Sequence, residues 1–389
     1  MSDYPAEILQ QALPGVQRLQ PYQPGKPVSE LERELGLSDI IKLASNENPL
    51  GASPAALSAA RAALDALHRY PDGNGFALRQ ALAQQHDRDI DWITLGNGSN
   101  DALELIARVF LGPGRNAVFS EHAFAVYPIV TCVCGAQARV ATAIPAGQDQ
   151  AYGHDLQAMA AQVNEDTAVV FIANPNNPTG TWLASGPLKS FIGDLDPRII
   201  VVVDEAYFEY VDQPDYPDTS LWLDEFPNLI VTRTFSKAHG LAALRIGCAL
   251  ARPPLTDLLN RVRQPFNCNA IAQAAALASL KDTVHIQNSV RSNKAGLAQL
   301  GQSLSDRGLD FIPSVGNFIS FHPGVAQGTG RGFDGQTVYE ALLREGVIVR
   351  PVGNYGLPDY LRVTVSTQAE NNRFITALDH VLDKARAVK

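Results

Sequence analysis

A chain of 389 residues with 46% hydrophobic and 18% charged residues can bury a core across two or three domains, which excludes a disordered polymer. Its net charge of −9 excludes the dense basic face that a nucleic acid or an anionic membrane requires, so any anion site must be built locally. The four cysteines include Cys132 and Cys134 in "TCVCG", a strand-like alternation with no second pair at metal-binding spacing; they read as free thiols, and no metal is expected. The first residues, "MSDYPAEILQQALPG", lack a basic segment followed by an apolar one, and no run approaches about 18 apolar residues. A cytoplasmic, reducing setting is the expectation.

Helix and strand signals alternate from about residue 54 to about residue 260. "PAALSAARAALDALHRY" places Leu57, Ala60, Leu64 and Leu67 on one helical stripe. "SNDALELIARVFLG" does the same with Leu103, Ile106, Ala107 and Phe110 before a stop at Gly112. Short apolar runs follow, "NAVFS", "TAVVFIANP", "RIIVVVD", "NLIVTRT" and "IGCAL", which predict a mainly parallel sheet with helices on both faces. From about residue 268 an Ala/Gln-rich helical stretch leads to the strand signals "FIS", "VIVR" and "LRVTVST" and a last helix ending at "ARAVK". The expected organisation is a large α/β domain over 31–265 and a smaller α+β domain made of 266–389 and the Pro-rich arm 1–30.

Polar residues concentrate where the apolar runs end. "RIIVVVDEAY" closes on Asp204 with Tyr207 three residues on, "FIANPNNPTG" on Asn174 and Asn177, "NLIVTRTFSK" on Thr234, Ser236 and Lys237, and "WITLGNGSND" in a glycine turn that opens a helix near Ser99. Taken one at a time, Asp204 could be a helix cap and the Asn-Pro pairs turn formers. Four loaded strand ends together mark the place where ligands bind in open α/β sheets. "GNGSND" is no dinucleotide fingerprint, because position 101 is Asp rather than a third glycine. It still sets free backbone amides at a helix start near Ser99, a cradle for an anion.

"NPNNPTG", "DEAY" and "TFSKAHGLAALRIG" together resemble the signature set of fold-type-I pyridoxal-phosphate aminotransferases, in order and spacing across nearly the whole chain. "PYQPGKP" at 21–27, "SNENPLG" at 45–51 and "RYPDGNG" at 69–75 are similar, more narrowly, to the histidinol-phosphate aminotransferases. The resemblance implies a doubly wound cofactor domain, a small domain that closes over substrate, and a homodimer with shared active sites. It implies that Lys237 binds pyridoxal 5'-phosphate and moves the substrate proton, that Asp204 pairs with the pyridine nitrogen, and that Asn177 and Tyr207 bond the phenolate oxygen. Tyr127 would stack on the ring. Ser99, Asn100, Thr234, Ser236 and Arg245 would hold the phosphate, with Tyr70 reaching it from the other subunit. Substrate binding would fall to Arg362, with Arg350, Tyr22, Asn46 and Asn317 around it.

The implied reaction interconverts L-histidinol phosphate and 2-oxoglutarate with imidazole-acetol phosphate and L-glutamate. An aromatic amino-acid aminotransferase and a phosphothreonine-type decarboxylase share the scaffold and stand as alternatives. His239, Ala243 and Cys248 depart from the Phe, Gly and Tyr that relatives often carry, which bears on fine specificity rather than reaction class.

Overall fold

The structure is a computed structural model that describes residues 6–21, 25–325 and 334–387. Its centre is a seven-stranded sheet in the order Ile93–Gly96, Gly247–Ala251, Leu229–Thr234, Ile200–Asp204, Thr167–Ala173, Asn116–Ser120, Gln137–Ala141. Every pairing from Leu229–Thr234 onward is parallel, while Gly247–Ala251 runs antiparallel to both neighbours. Val201, Val202 and Val203 are all buried, the signature of a strand covered on both faces, and each contributes about 1.5–3 kcal/mol of burial. In register, Ala173 lies opposite Asp204 and Asp204 opposite Thr232, so the segments that follow these three strands leave the sheet side by side. The doubly wound, mainly parallel expectation holds.

The helix Ser99–Phe110 begins where the sequence places it. Gly98 caps it at φ +83°, a left-handed value open to glycine, and Asp101 accepts the amide of Asn97 at 2.8 Å to close the turn. "TCVCG" is different: Cys132 and Val133 finish the helix Val126–Val133 and Cys134 caps it, where the alternation predicts a strand. A short apolar run carries both periods, and here the strand forms three residues later, at Gln137–Ala141.

A second sheet, in the order Arg350–Pro351, Leu361–Thr364, Phe318–Val325, Leu309–Ile312, is antiparallel throughout. Phe321, Leu361, Val363, Leu300, Leu342 and Phe374 join it to its helices in one core. Shared cores divide the chain elsewhere than the expected boundaries at residues 31 and 266. Leu31 and Ala44 pack on Ile348, and Ile41–Lys42 pairs in parallel with Val347–Ile348, so this stretch goes with the small unit. Ala272, Ala275 and Ala276 of the helix Ala270–Lys281 pack into the large core with Ala56 and Leu78.

The stripe Leu57, Leu64 and Leu67 faces solvent instead of this core; Ala56 is the buried residue and Leu67 is 65% exposed. Among the described residues no helix is long and apolar enough to cross a membrane.

Candidate active site

Between the two sheets lies a pocket whose wall includes Ser99, Asn100, Asn177, Asp204, Tyr207 and Lys237 from the large unit and Arg350, Tyr355 and Arg362 from the small one. Thr234, Ser236, Arg245 and Asn46 complete the expected residues that line it. Four cationic side chains, Lys237, Arg245, Arg350 and Arg362, thus share one cavity in a chain of net charge −9.

Asp204 is buried at the floor. Its Oδ1 accepts the Thr232 hydroxyl at 2.9 Å and its Oδ2 the Tyr127 hydroxyl at 3.1 Å. Burial raises its carboxyl to about 6, partly offset by these two donors. A buried carboxylate held by hydroxyls alone is completed by a cationic N–H, which a protonated pyridine nitrogen provides.

Lys237 donates to the Ser45 carbonyl at 3.2 Å, and its ammonium lies 5.7 Å from the Tyr207 ring centre. Burial first, then the Arg362 charge, lowers the amine to about 7, so near neutrality half of it is free to act as nucleophile or base. Burial pushes the Tyr207 phenol up to about 12. Its oxygen accepts Asn46 Nδ2 at 2.9 Å, which leaves its own proton to donate into the pocket. Asn177 accepts Arg362 Nη1 through Oδ1; because a guanidinium only donates, the amide group Asn177 can turn inward is its N–H donor.

One end of the pocket is made by the helix start at Ser99 and by Arg245, which donates to Ser236 Oγ at 3.2 Å from a left-handed backbone at φ +57°, a setting that suits an anion. A Cβ on Gly98 would stand 2.3 Å from Arg245 Nη2, and one on Gly247 would stand 2.5 Å from the Ser99 amide. Both glycines keep the cradle open. The residues present therefore fit a group with a basic ring nitrogen, an anionic ring oxygen and a phosphate. On the facing wall Arg362 donates to the Ala44 carbonyl at 2.8 Å, and Arg350 is its direct cross-strand partner.

The sequence model of the family described as aminotransferase class I and II matches residues 38–378. Histidinol-phosphate aminotransferase 2 of Methylococcus capsulatus is 56% identical over 371 residues, which span 95% of this chain and 98% of that protein. Histidinol-phosphate aminotransferase 2 of Pseudomonas fluorescens is 57% identical, over 95% and 97% of the two chains. The chain belongs to the histidinol-phosphate aminotransferases. The crystal structure of histidinol-phosphate aminotransferase from Sinorhizobium meliloti in complex with pyridoxal-5'-phosphate matches this aminotransferase at TM-score 0.85 and 27% identity, covering 96% and 98% of the chains.

Three expected residues among the described ones lie elsewhere than on this wall. Tyr127 is fully buried behind it, stacked on Phe171 at 4.9 Å, and serves Asp204 instead of facing a ring. It sits within the helix Val126–Val133, on the side turned to the sheet, whereas Phe124, three residues earlier and outside that helix, lines the pocket. Asn317 supports the pocket from behind, donating to the Asn46 carbonyl at 2.9 Å. Tyr70 is 82% exposed and stacks on Phe266 at 4.7 Å, away from its own chain's pocket. Tyr22 lies outside the described residues. The residues missed were Phe124 and Tyr355; an aromatic in "EHAFAVYP" was the only signal for the first, and two aromatics there compete.

Proposed function

We propose that this aminotransferase uses pyridoxal 5'-phosphate to move the amino group of L-glutamate to imidazole-acetol phosphate, giving 2-oxoglutarate and L-histidinol phosphate. When bound, the cofactor supplies the aldehyde that takes and returns the amino group, and a ring that accepts electrons from the substrate carbon. Lys237 would be the attachment point, and its amine, once free, would carry the proton to and from that carbon. Asp204 keeps the ring nitrogen protonated. Tyr207 and Asn177 would donate to the ring oxygen, the amides at Ser99 and Asn100 with Thr234, Ser236 and Arg245 would hold the phosphate, and Phe124 would take the ring-stacking role assigned above to Tyr127.

The observation that carries the substrate is the pairing of Arg350 with Arg362 across adjacent strands on the pocket wall. Two guanidiniums there suit a phosphate in one half-reaction and a side-chain carboxylate in the other. Asn46, backed by Asn317, shapes the same end. Tyr70 works in the partner's site of a homodimer, supported by the exposed apolar band of Leu57, Leu64, Leu67, Tyr70 and Phe266. Four free cysteines support a reducing cytoplasmic setting.

Steady-state assays with 2-oxoglutarate as acceptor test the substrate. Histidinol phosphate should exceed phenylalanine in kcat/KM by about 10²-fold or more, because the paired guanidiniums are left unmatched by a benzyl group. A preference for phenylalanine would replace this reading with the aromatic aminotransferase.

A further inference from the structure

His122 takes no part in the chemistry above, yet it is buried where the large unit meets Tyr355 of the small one. Its Nδ1 lies 2.6 Å from the carbonyl oxygen of Tyr355, and since a carbonyl only accepts, Nδ1 carries the hydrogen. Its own carbonyl accepts Asn176 Nδ2 at 2.9 Å, beside Asn177. Two residues on in the chain stands Phe124. The ring also meets Tyr152 edge-on at 5.8 Å, and Tyr360 of the small unit donates its hydroxyl to that of Tyr152 at 3.2 Å.

Tyr355 ends the helical turn Gly353–Tyr355, which lies on the connection between Arg350–Pro351 and Leu361–Thr364. These strands carry Arg350 and Arg362. The turn is capped by Gly356 at φ +76°, and a Cβ there would come within 3.2 Å of His122 Nδ1. Any other residue at position 356 would thus be strained by its backbone and would crowd the imidazole. We infer that His122 is a positioning residue: it pins the connection between the two arginine strands to the large-unit segment that carries Phe124, and so sets the distance from the cofactor end of the pocket to the substrate anion. The inference rests on the reading that Arg350 and Arg362 hold that anion.

The test uses three variants of the holoenzyme. His122→Phe keeps an aromatic edge for Tyr152 and removes the donor, while His122→Asn restores an N–H near the place of Nδ1. 2-Oxoglutarate binding to the pyridoxal form, which cannot turn over, is measured by titration, alongside KM, kcat and cofactor affinity. His122→Phe should raise the 2-oxoglutarate Kd and the KM of both amino donors about tenfold, the weight of one lost hydrogen bond, with kcat within about twofold and cofactor affinity unchanged. His122→Asn should recover to within about threefold of wild type. Unchanged Kd and KM in His122→Phe, a parallel loss of kcat and cofactor, or failure of Asn to restore binding in a chain of wild-type Tm each overturns the inference. Should His122→Phe not fold, His122→Asn decides: near-wild-type binding supports the pin, and a tenfold loss overturns it. Arg362→Leu, run alongside, separates the two claims. If it leaves 2-oxoglutarate binding intact, the anion-wall reading has failed; if it weakens binding and His122→Phe does not, only the pin has.

Discussion

On the cofactor side of the pocket, side chains project from neighbouring ends of parallel strands: Asp204 closes Ile200–Asp204, Lys237 follows Leu229–Thr234, and Asn177 follows Thr167–Ala173. On the facing side, Arg350 and Arg362 meet only because two short strands pair, and Arg362 reaches back to the Ala44 carbonyl, 318 residues away in sequence. The first side is set by each strand's own exit point, the second by how one unit lies on the other. A change on the first should therefore abolish chemistry and spare substrate binding, and one on the second should do the reverse.

Lys237→Ala should produce the largest effect. Removing the nucleophile and proton carrier should lower turnover by about 10⁴-fold or more, while the phosphate cradle still retains cofactor, visible as absorbance after gel filtration. Borohydride treatment of the wild-type protein should fix the cofactor to one tryptic peptide, the one containing Lys237. Label on another lysine would remove that side of the comparison.

A smaller effect, about tenfold, is expected from pH. With the Lys237 amine lowered to about 7 from its ordinary value of 10.5, the neutral form appears as pH rises through 7. Covalent cofactor loading of the apoprotein should gain about tenfold between pH 6 and pH 8 and then level off. An amine at its ordinary value would keep gaining to pH 10 and beyond, and that profile would contradict the burial argument.

Mixing experiments sharpen the comparison by asking whether a third element, from a second chain, completes the cofactor side. Lys237→Ala and a disruptive change at Tyr70 should each be nearly inactive as homodimers. Random reassortment makes half the dimers mixed, each with one intact site, so about a quarter of wild-type activity should return. No recovery after verified exchange would place Tyr70 outside the partner's site.

These differences also explain what could be read from the sequence. That Asp204, Lys237, Asn177 and Ser99 would gather at one pocket was legible because each stands at, or a few residues beyond, the end of an apolar strand, which is a local pattern. Phe124 was not: "FAVY" offers two aromatics three residues apart, and only depth in the fold buries Tyr127 and leaves Phe124 on the wall. Tyr355 and the pairing of Arg350 with Arg362 depend on strand register, which no local window contains. The stripe Leu57, Leu64 and Leu67 carried the right period for a helix, but period alone does not say whether the apolar face meets its own core or another surface.

The division into two walls meets at Arg362, which donates to Asn177 on one side and lines the substrate end on the other. Single-turnover kinetics of Arg362→Leu at limiting glutamate and at limiting histidinol phosphate, where the rate reports substrate binding, measured together with cofactor affinity, test it directly. Both half-reactions should weaken by about 10²-fold, the cost of losing a buried charge-assisted contact, with cofactor affinity retained. Loss with glutamate alone, or loss of the cofactor itself, would contradict the account.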